Sequence, residues 1–152
     1  MDVTEVSFYH LQRQSLEEAL PALLERVMGA GLRALVRAGS EARIDSLNTA
    51  LWCYDAGAFL PHGTVREGAP EEQPVLLSAD DDGNPNGATV LVQVDGVRST
   101  DIEAFERCLD LFDGRDEEAV AAARARWKKC TESGHTVTYW QQTDAGRWEK
   151  KN

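Results

Sequence analysis

The apolar residues of this chain follow two spacings, one typical of buried strands and the other of amphipathic helices. Short apolar or β-prone runs predict strands at residues 3–10, 32–36, 75–77, 88–94, 106–112 and 135–142. Apolar residues that recur every three or four positions predict helices over residues 16–28 and 41–54, and a long third helix from Asp116 that Gly134 stops. Because strands alternate with helices, we expect an α/β fold with three layers. A mainly parallel, Rossmann-like central sheet carries helices on both faces in this interpretation.

Residues at the ends of the predicted helices support these boundaries. Ser15 and Glu18 have the spacing of a capping box at the start of the first helix. Acidic residues open the last helix and basic residues close it, which matches the helix dipole. The Gly-, Pro- and Glu-rich stretch at 63–74 is expected to be a surface connection.

The length of 152 residues is that of one domain. We assign residues 1–142 to a single α/β domain and residues 143–152 to a polar C-terminal tail that contains Trp148. No stretch approaches the roughly 20 apolar residues of a membrane helix. The N-terminus is acidic and lacks the basic, then apolar pattern of a secretion signal, so a cytoplasmic location is expected.

The net negative charge of the chain makes some classes of binding partner unfavourable. Sixteen Lys and Arg residues against 26 Asp and Glu residues leave a formal net charge of −10. The averaged field of such a surface repels phosphate backbones and anionic membranes. Direct, extensive contact with nucleic acid and binding to a membrane are therefore not expected.

Cysteine and histidine spacings favour neither a metal nor a redox site. The three cysteines lie far apart with no CxxC pair and are expected to be buried, reduced thiols: Cys53, Cys108 and Cys130. The three histidines are equally scattered, without HExxH spacing: His10, His62 and His135. Residues 82–87 resemble the opening of a calcium loop, but Gln93 stands where that loop needs a bidentate carboxylate. We expect no bound metal and no cofactor.

Catalytic motifs are missing from the sequence. Neither a GxGxxG nor a GxxxxGK[ST] pattern follows the first strand, and there is no GxSxG elbow. We therefore expect a noncatalytic protein with no catalytic residues. The alternative from another class, a small nucleotide-binding or hydrolytic enzyme on a Rossmann-like sheet, has only fold analogy in its favour.

Aromatic residues near the second helix form the first candidate interaction site. Trp52 lies off the apolar stripe of that helix, and Phe59 and Leu60 follow in a loop without periodic partners. Exposed aromatic groups mark protein interfaces. Two interpretations stay open, a protein-binding patch and a small satellite core beneath the loop.

The last helix carries the second candidate site. Trp127 lies on its apolar side, while Arg124 and Lys128 stand one turn apart along the edge of that side. One interpretation is an ordinary solvated basic face whose aliphatic stems cover apolar surface. The other is a small pocket in which two cations and an aromatic border hold an acidic peptide with an apolar end.

Several short motifs give the chain a family resemblance. They are LNTALW at 47–52, AFLPH at 58–62 and ARARWK at 123–128 ahead of Gly134. In this combination and order, which spans nearly the full length, the chain resembles the chi subunit of the bacterial DNA polymerase III holoenzyme.

The resemblance implies a noncatalytic clamp-loader accessory subunit for DNA replication. It implies two partners, the psi subunit in a heterodimer and the acidic C-terminal tail of single-stranded DNA-binding protein. In such proteins psi contacts the aromatic residues that match Trp52 and Phe59, and the tail contacts those that match Arg124, Lys128 and Trp127. A repair helicase is a further partner that the resemblance suggests for the psi surface. The chain departs from the family pattern at Val120, where a basic residue is expected, so the tail site carries less positive charge.

Overall fold

Eight strands and three α-helices occur in the part of the chain that a computed structural model describes, residues 4–55, 57, 60–80, 83–145 and 147–151. The strands are β1 (Glu5–Leu11), β2 (Ala34–Arg37), β3 (Gly63–Thr64), β4 (Val75–Ser78), β5 (Val90–Val94), β6 (Arg107–Asp113), β7 (Thr136–Gln142) and β8 (Trp148–Lys150). The helices are α1 (Leu16–Gly29), α2 (Glu41–Cys53) and α3 (Glu117–Glu132).

All eight strands belong to one sheet, in the order β3-β4-β2-β5-β6-β1-β7-β8. Every neighbouring pair is parallel except β7 and β8, which run antiparallel. Central strands such as β2, β4 and β5 are buried along their whole length, as parallel strands covered on both faces must be. The predicted α/β fold with a mainly parallel sheet is confirmed.

Helices α1 and α2 share one face of the sheet. Their apolar stripes belong to the larger of two core clusters, in which Leu20, Leu24 and Leu47 are at most 1% exposed. Helix α1 begins with the predicted capping box, because Ser15 accepts from the Glu18 amide and the Glu18 carboxylate accepts from Ser15.

Helix α3 covers the opposite face, so helices lie on both sides as expected. Ala123 and Cys130 are buried, and Trp127 packs half-buried against the second core cluster. The helix ends before Gly134, whose φ of 86° suits glycine.

Three features differ from the sequence-based expectations. Within the expected surface connection at 63–74, the strand β3 pairs with β4 and adds an edge to the sheet. Within the expected polar tail, β8 pairs with β7, and the Trp148 ring packs edge-on against Tyr9 at 5.1 Å. Cys53 is exposed rather than buried, because it lies about 200° around α2 from the core residue Leu51. The other two cysteines are buried as expected.

Two arginines, one fully buried and one largely buried, form ion pairs on the α3 side of the sheet. Arg126 of α3 reaches the sheet and donates to both carboxylate oxygens of Asp110, at 2.7 and 2.9 Å. Arg37, fully buried at the end of β2, donates to both carboxylate oxygens of Asp101 and to the carbonyl oxygen of Gly83. The first pair fixes α3 on the sheet, and the second fixes the segment between β5 and β6.

Replacing Arg126 with alanine should therefore destabilise the fold strongly. Asp110 is 1% exposed and burial already raises its pKa, so the loss of its partner leaves an uncompensated acid in the core. We expect the free energy of unfolding from urea titration to fall by about 3 to 5 kcal/mol. The matched control Arg124→Ala, exposed on the same helix, should change it by less than about 0.5 kcal/mol. Equal effects of the two substitutions would show that the ion pair has no stabilising role.

Candidate functional site

A pair of exposed cations lies on one edge of α3. Arg124 and Lys128 are both exposed, and no acid in the described ranges comes within ion-pairing distance of either. Arg126, two residues further on, points about 200° away and is paired with Asp110. Of these basic residues, Arg126 points towards the sheet and is ion-paired, whereas Arg124 and Lys128 are exposed along one edge of the helix. We call this pair of residues the cation edge (Arg124 and Lys128).

Aromatic rings border the cation edge. The Trp127 ring lies 5.7 Å from the ring of Phe8 and 5.8 Å from that of Tyr139, centre to centre. Tyr139 in turn contacts His10, with ring centres 5.9 Å apart and a hydrogen bond between the His10 Nδ1 and the tyrosine hydroxyl. We call these four rings the aromatic cluster; it lies where α3 crosses β1 and β7.

The electrostatics connect the cation edge with the aromatic cluster. Burial raises the pKa of Tyr139, and the positive charge of Arg124 opposes that rise. Burial is also the main cause that lowers the pKa of His10, and Arg124 lowers it further. The field of Arg124 therefore reaches both rings, so an anion beside them meets an apolar border and a positive charge together. Val120 packs against the second core cluster at the same helix and adds no charge.

The residues of the aromatic patch predicted near α2 differ in exposure. Trp52 is 52% exposed and its ring lies 4.5 Å from the ring of the buried His62. Leu60 is only 3% exposed and belongs to the core cluster under α1 and α2, and its carbonyl oxygen accepts from the His62 Nδ1 at 2.6 Å. Phe59 lies outside the described residues. The patch thus combines an exposed indole with a loop anchored in the core, so each of the two interpretations describes a part of it.

The two candidate surfaces lie on opposite faces of the sheet and towards opposite ends of it. Helix α2 packs near β3 and β4, at one edge, while α3 packs on β1, β6 and β7. A partner on Trp52 and a partner on the cation edge therefore do not compete for the same area.

The carboxyl ends of β1 and β6 are the place where a doubly wound sheet usually opens a ligand crevice. Here the amide of Gly114 donates to the carbonyl oxygen of Leu11 at 2.7 Å and joins the two strand ends. The His10 ring packs so closely on Gly114 that a side chain there would collide with it. Gly114 and His10 thus close the gap directly between these two strand ends, and a small cavity of about 180 Å³ remains beside it, against the start of α1.

The described residues form neither a metal-binding cluster nor a membrane-spanning helix. Within the described ranges, no three His, Cys, Asp or Glu side chains are grouped so that they could hold a metal ion. Residues 81 and 82, at the start of the calcium-like loop, lie outside those ranges, and Gln93 sits inside β5. Among the described helices, none has the length and apolar character needed to cross a bilayer.

Some important residues were not identified from the sequence. They are the members of two ion pairs, Arg37 with Asp101 and Arg126 with Asp110. Of the four, only Asp110 carries a visible signal, a lone acid inside the apolar run of β6. Its partner lies 16 positions away and is recognisable only once the helix is placed on the sheet.

Comparisons with known proteins identify the family and the fold. The model of the family described as "DNA polymerase III chi subunit, HolC" matches residues 3–138. A curated relative, "Probable DNA polymerase III subunit chi" from Rickettsia prowazekii (strain Madrid E), is 24% identical over 156 residues, with 96% of this chain and 91% of the relative covered. Among solved structures, the C-terminal domain of the DEAD-box protein Dbp5 superposes with a TM-score of 0.52 over 91% of each chain. At 10% identity, that likeness shows the fold alone.

The fold and these matches define a polymerase accessory subunit with a Rossmann-like sheet. The chain belongs to the DNA polymerase III chi subunit family. Membership supports an accessory role in DNA replication.

Protonation of His10 should make the stability depend on pH. Burial lowers the pKa of His10 in the folded state, so the unfolded chain binds this proton first as the pH falls below about 6.5. The contribution of neutral His10 to the free energy of unfolding is fully present above that pH. It is lost as the pH falls towards the pKa of His10 in the folded state. Urea unfolding at about pH 7.5 and about pH 5.5 should show a smaller drop for His10→Gln than for the natural protein. An identical drop in both proteins would assign the effect to other groups.

Proposed function

We propose that this chain is a noncatalytic adaptor that binds an acidic protein tail at the cation edge and a psi subunit at Trp52. The tail is that of single-stranded DNA-binding protein, so the chain links the clamp loader and polymerase to coated single strands without touching DNA itself. The observation that carries this proposal is the exposed pair Arg124 and Lys128 beside the aromatic cluster.

The chemistry of the cation edge suits a short acidic peptide that ends in an apolar residue. Two carboxylates accept from Arg124 and Lys128, and an apolar ring lies against Trp127 and Tyr139. Two charge-assisted bonds and one buried ring contribute about 5 to 9 kcal/mol before costs. Association costs at least about 4 kcal/mol, so the binding is weak and salt-sensitive. The lack of a cation at Val120 weakens it further.

The net charge of −10 restricts where such binding acts. An acidic peptide is repelled by the averaged field of the protein and attracted only close to the cation edge. At physiological salt, charges are screened beyond about 8 Å, so the local pair outweighs the distant acids.

The psi contact rests on the exposed indole of Trp52. Large aromatic residues on a rigid element are the usual anchors of protein interfaces, and Trp52 sits in the last turn of α2. Leu60 is buried in the core near this surface. Phe59 is proposed to take part in the psi contact. A repair helicase is a further proposed partner for this same surface, and the cytoplasm is the proposed location.

Reversing the charge of Arg124 should strongly weaken tail binding. We expect a fluorescent acidic peptide ending in proline and phenylalanine to bind Arg124→Glu at least about tenfold more weakly than the natural protein, measured by anisotropy. The matched control is Lys129→Glu on the opposite flank of α3, which changes the net charge equally and should bind the peptide nearly as well as the natural protein. Equal weakening in both variants would indicate a general charge effect and no defined site.

Removing the indole of Trp52 should abolish the psi contact without unfolding the chain. Trp52→Ala should keep the far-ultraviolet circular dichroism and urea midpoint of the natural protein, yet fail to co-purify with a psi subunit. Phe59→Ala should weaken the same complex. The neighbouring exposed residue supplies the control, Cys53→Ala, which should co-purify normally. Loss of the fold in Trp52→Ala would instead support a satellite core.

A further inference from the structure

A cavity of about 430 Å³ lies on the flank of α3 that faces away from the cation edge. It opens between α3 and the segment at 98–103, and strands β1, β5 and β6 form its floor. Phe8 and Cys108 are buried on the floor, and Ile102 and Ala125 line the walls. The volume is that of a small-molecule site.

The inner end of the cavity contains an unused hydrogen-bond acceptor. Gln93 is 6% exposed, and its Nε2 donates to the Oδ2 of Asp110 at 3.4 Å. Its Oε1 is buried and has no hydrogen-bond partner. Both Asp110 oxygens are already bound by Arg126, so at this end the Gln93 amide oxygen is left without a donor. The buried Ser99 hydroxyl, on the cavity wall, also has no partner. A buried acceptor without a partner is unfavourable, and a ligand N–H satisfies it.

The outer end of the cavity is positively charged. Arg98 and Lys129 are exposed on opposite walls, the first on the 98–103 segment and the second on α3. Glu103 is the one acid among the lining residues that is not already in an ion pair. The segment that carries Arg98 is held in place by the ion pair of Asp101 with Arg37.

We propose that this cavity binds a small organic phosphate whose ring carries an N–H donor, the chemical class of a nucleoside monophosphate. The ring lies between Phe8 and Ile102, its amino group donates to the Oε1 of Gln93, and the phosphate accepts from Arg98 and Lys129. A phosphate has more charge and more acceptor oxygens than a carboxylate, which suits a site with two cations. The site is separate from the cation edge and independent of the proposed tail binding.

Two of the three cysteines allow the occupancy of the cavity to be measured directly. Cys130 lines the cavity, whereas Cys53 is exposed on α2, on the other face of the sheet. We expect adenosine 5′-monophosphate to slow alkylation of Cys130 by N-ethylmaleimide, followed by mass spectrometry, and to leave alkylation of Cys53 unchanged. Calorimetric titration of the full chain with the same nucleotide supplies the affinity.

The ligand arms test each half of the site. Purine riboside 5′-monophosphate lacks the amino group and should bind about tenfold more weakly, because Gln93 is left without its donor. Adenosine, which lacks the phosphate, and inorganic phosphate, which lacks the ring, should each protect Cys130 poorly. Protection by inorganic phosphate alone equal to that by the nucleotide would contradict a ring site.

Variants on the rim separate this site from the tail site. Arg98→Ala combined with Lys129→Ala should weaken nucleotide binding at least about tenfold and spare the acidic peptide. Lys128→Ala, adjacent in sequence but on the other flank, should do the reverse. Equal nucleotide binding by the double variant, absence of binding to the natural protein, or binding without protection of Cys130 would each overturn the proposal.

Discussion

The ion pair between Asp110 and Arg126 fixes how helix α3 lies on its face of the sheet. A helix with a narrow apolar stripe can turn about its own axis with little change in buried area. The two hydrogen bonds from Arg126 to Asp110 hold α3 at one angle about that axis. Because Arg124 lies about 200° from Arg126, holding one inward directs the other to the opposite flank. The ion pair thus decides which basic residues of α3 are exposed beside the aromatic cluster.

That orientation matters because α3 is the single α-helix that the described residues place on this face. It contacts β1, β6 and β7, and elsewhere on the face Ile102 and Phe105, from the segment between β5 and β6, belong to the same core cluster as Val65 and Ala88. The ion pair of Arg37 with Asp101 secures that segment. One helix over a wide sheet leaves both of its flanks accessible: the cation edge beside the aromatic rings on one side, and the cavity above Gln93 on the other.

Local pattern was enough to predict the fold class, the helices and the exposure of Trp52 and Arg124, because each depends on helical or strand spacing alone. The strands β3 and β8 were missed because two or three residues carry no periodicity and form only against a neighbouring strand. Leu60 has no periodic apolar partners in sequence yet is buried, because it packs into the core cluster under α1 and α2. The ion pairs join charged residues that lie far apart in sequence. The spacing of residues along the chain does not predict which of them meet.

The central claim is that one small domain holds two protein partners on separate surfaces. Calorimetric titration of the acidic tail peptide into the chain alone, and into its purified complex with a psi subunit, tests this claim most directly. Because the surfaces lie on opposite faces of the sheet, the account predicts equal dissociation constants and a complex with one copy of each component. Loss of peptide binding in the complex, or binding only in the complex, would contradict it.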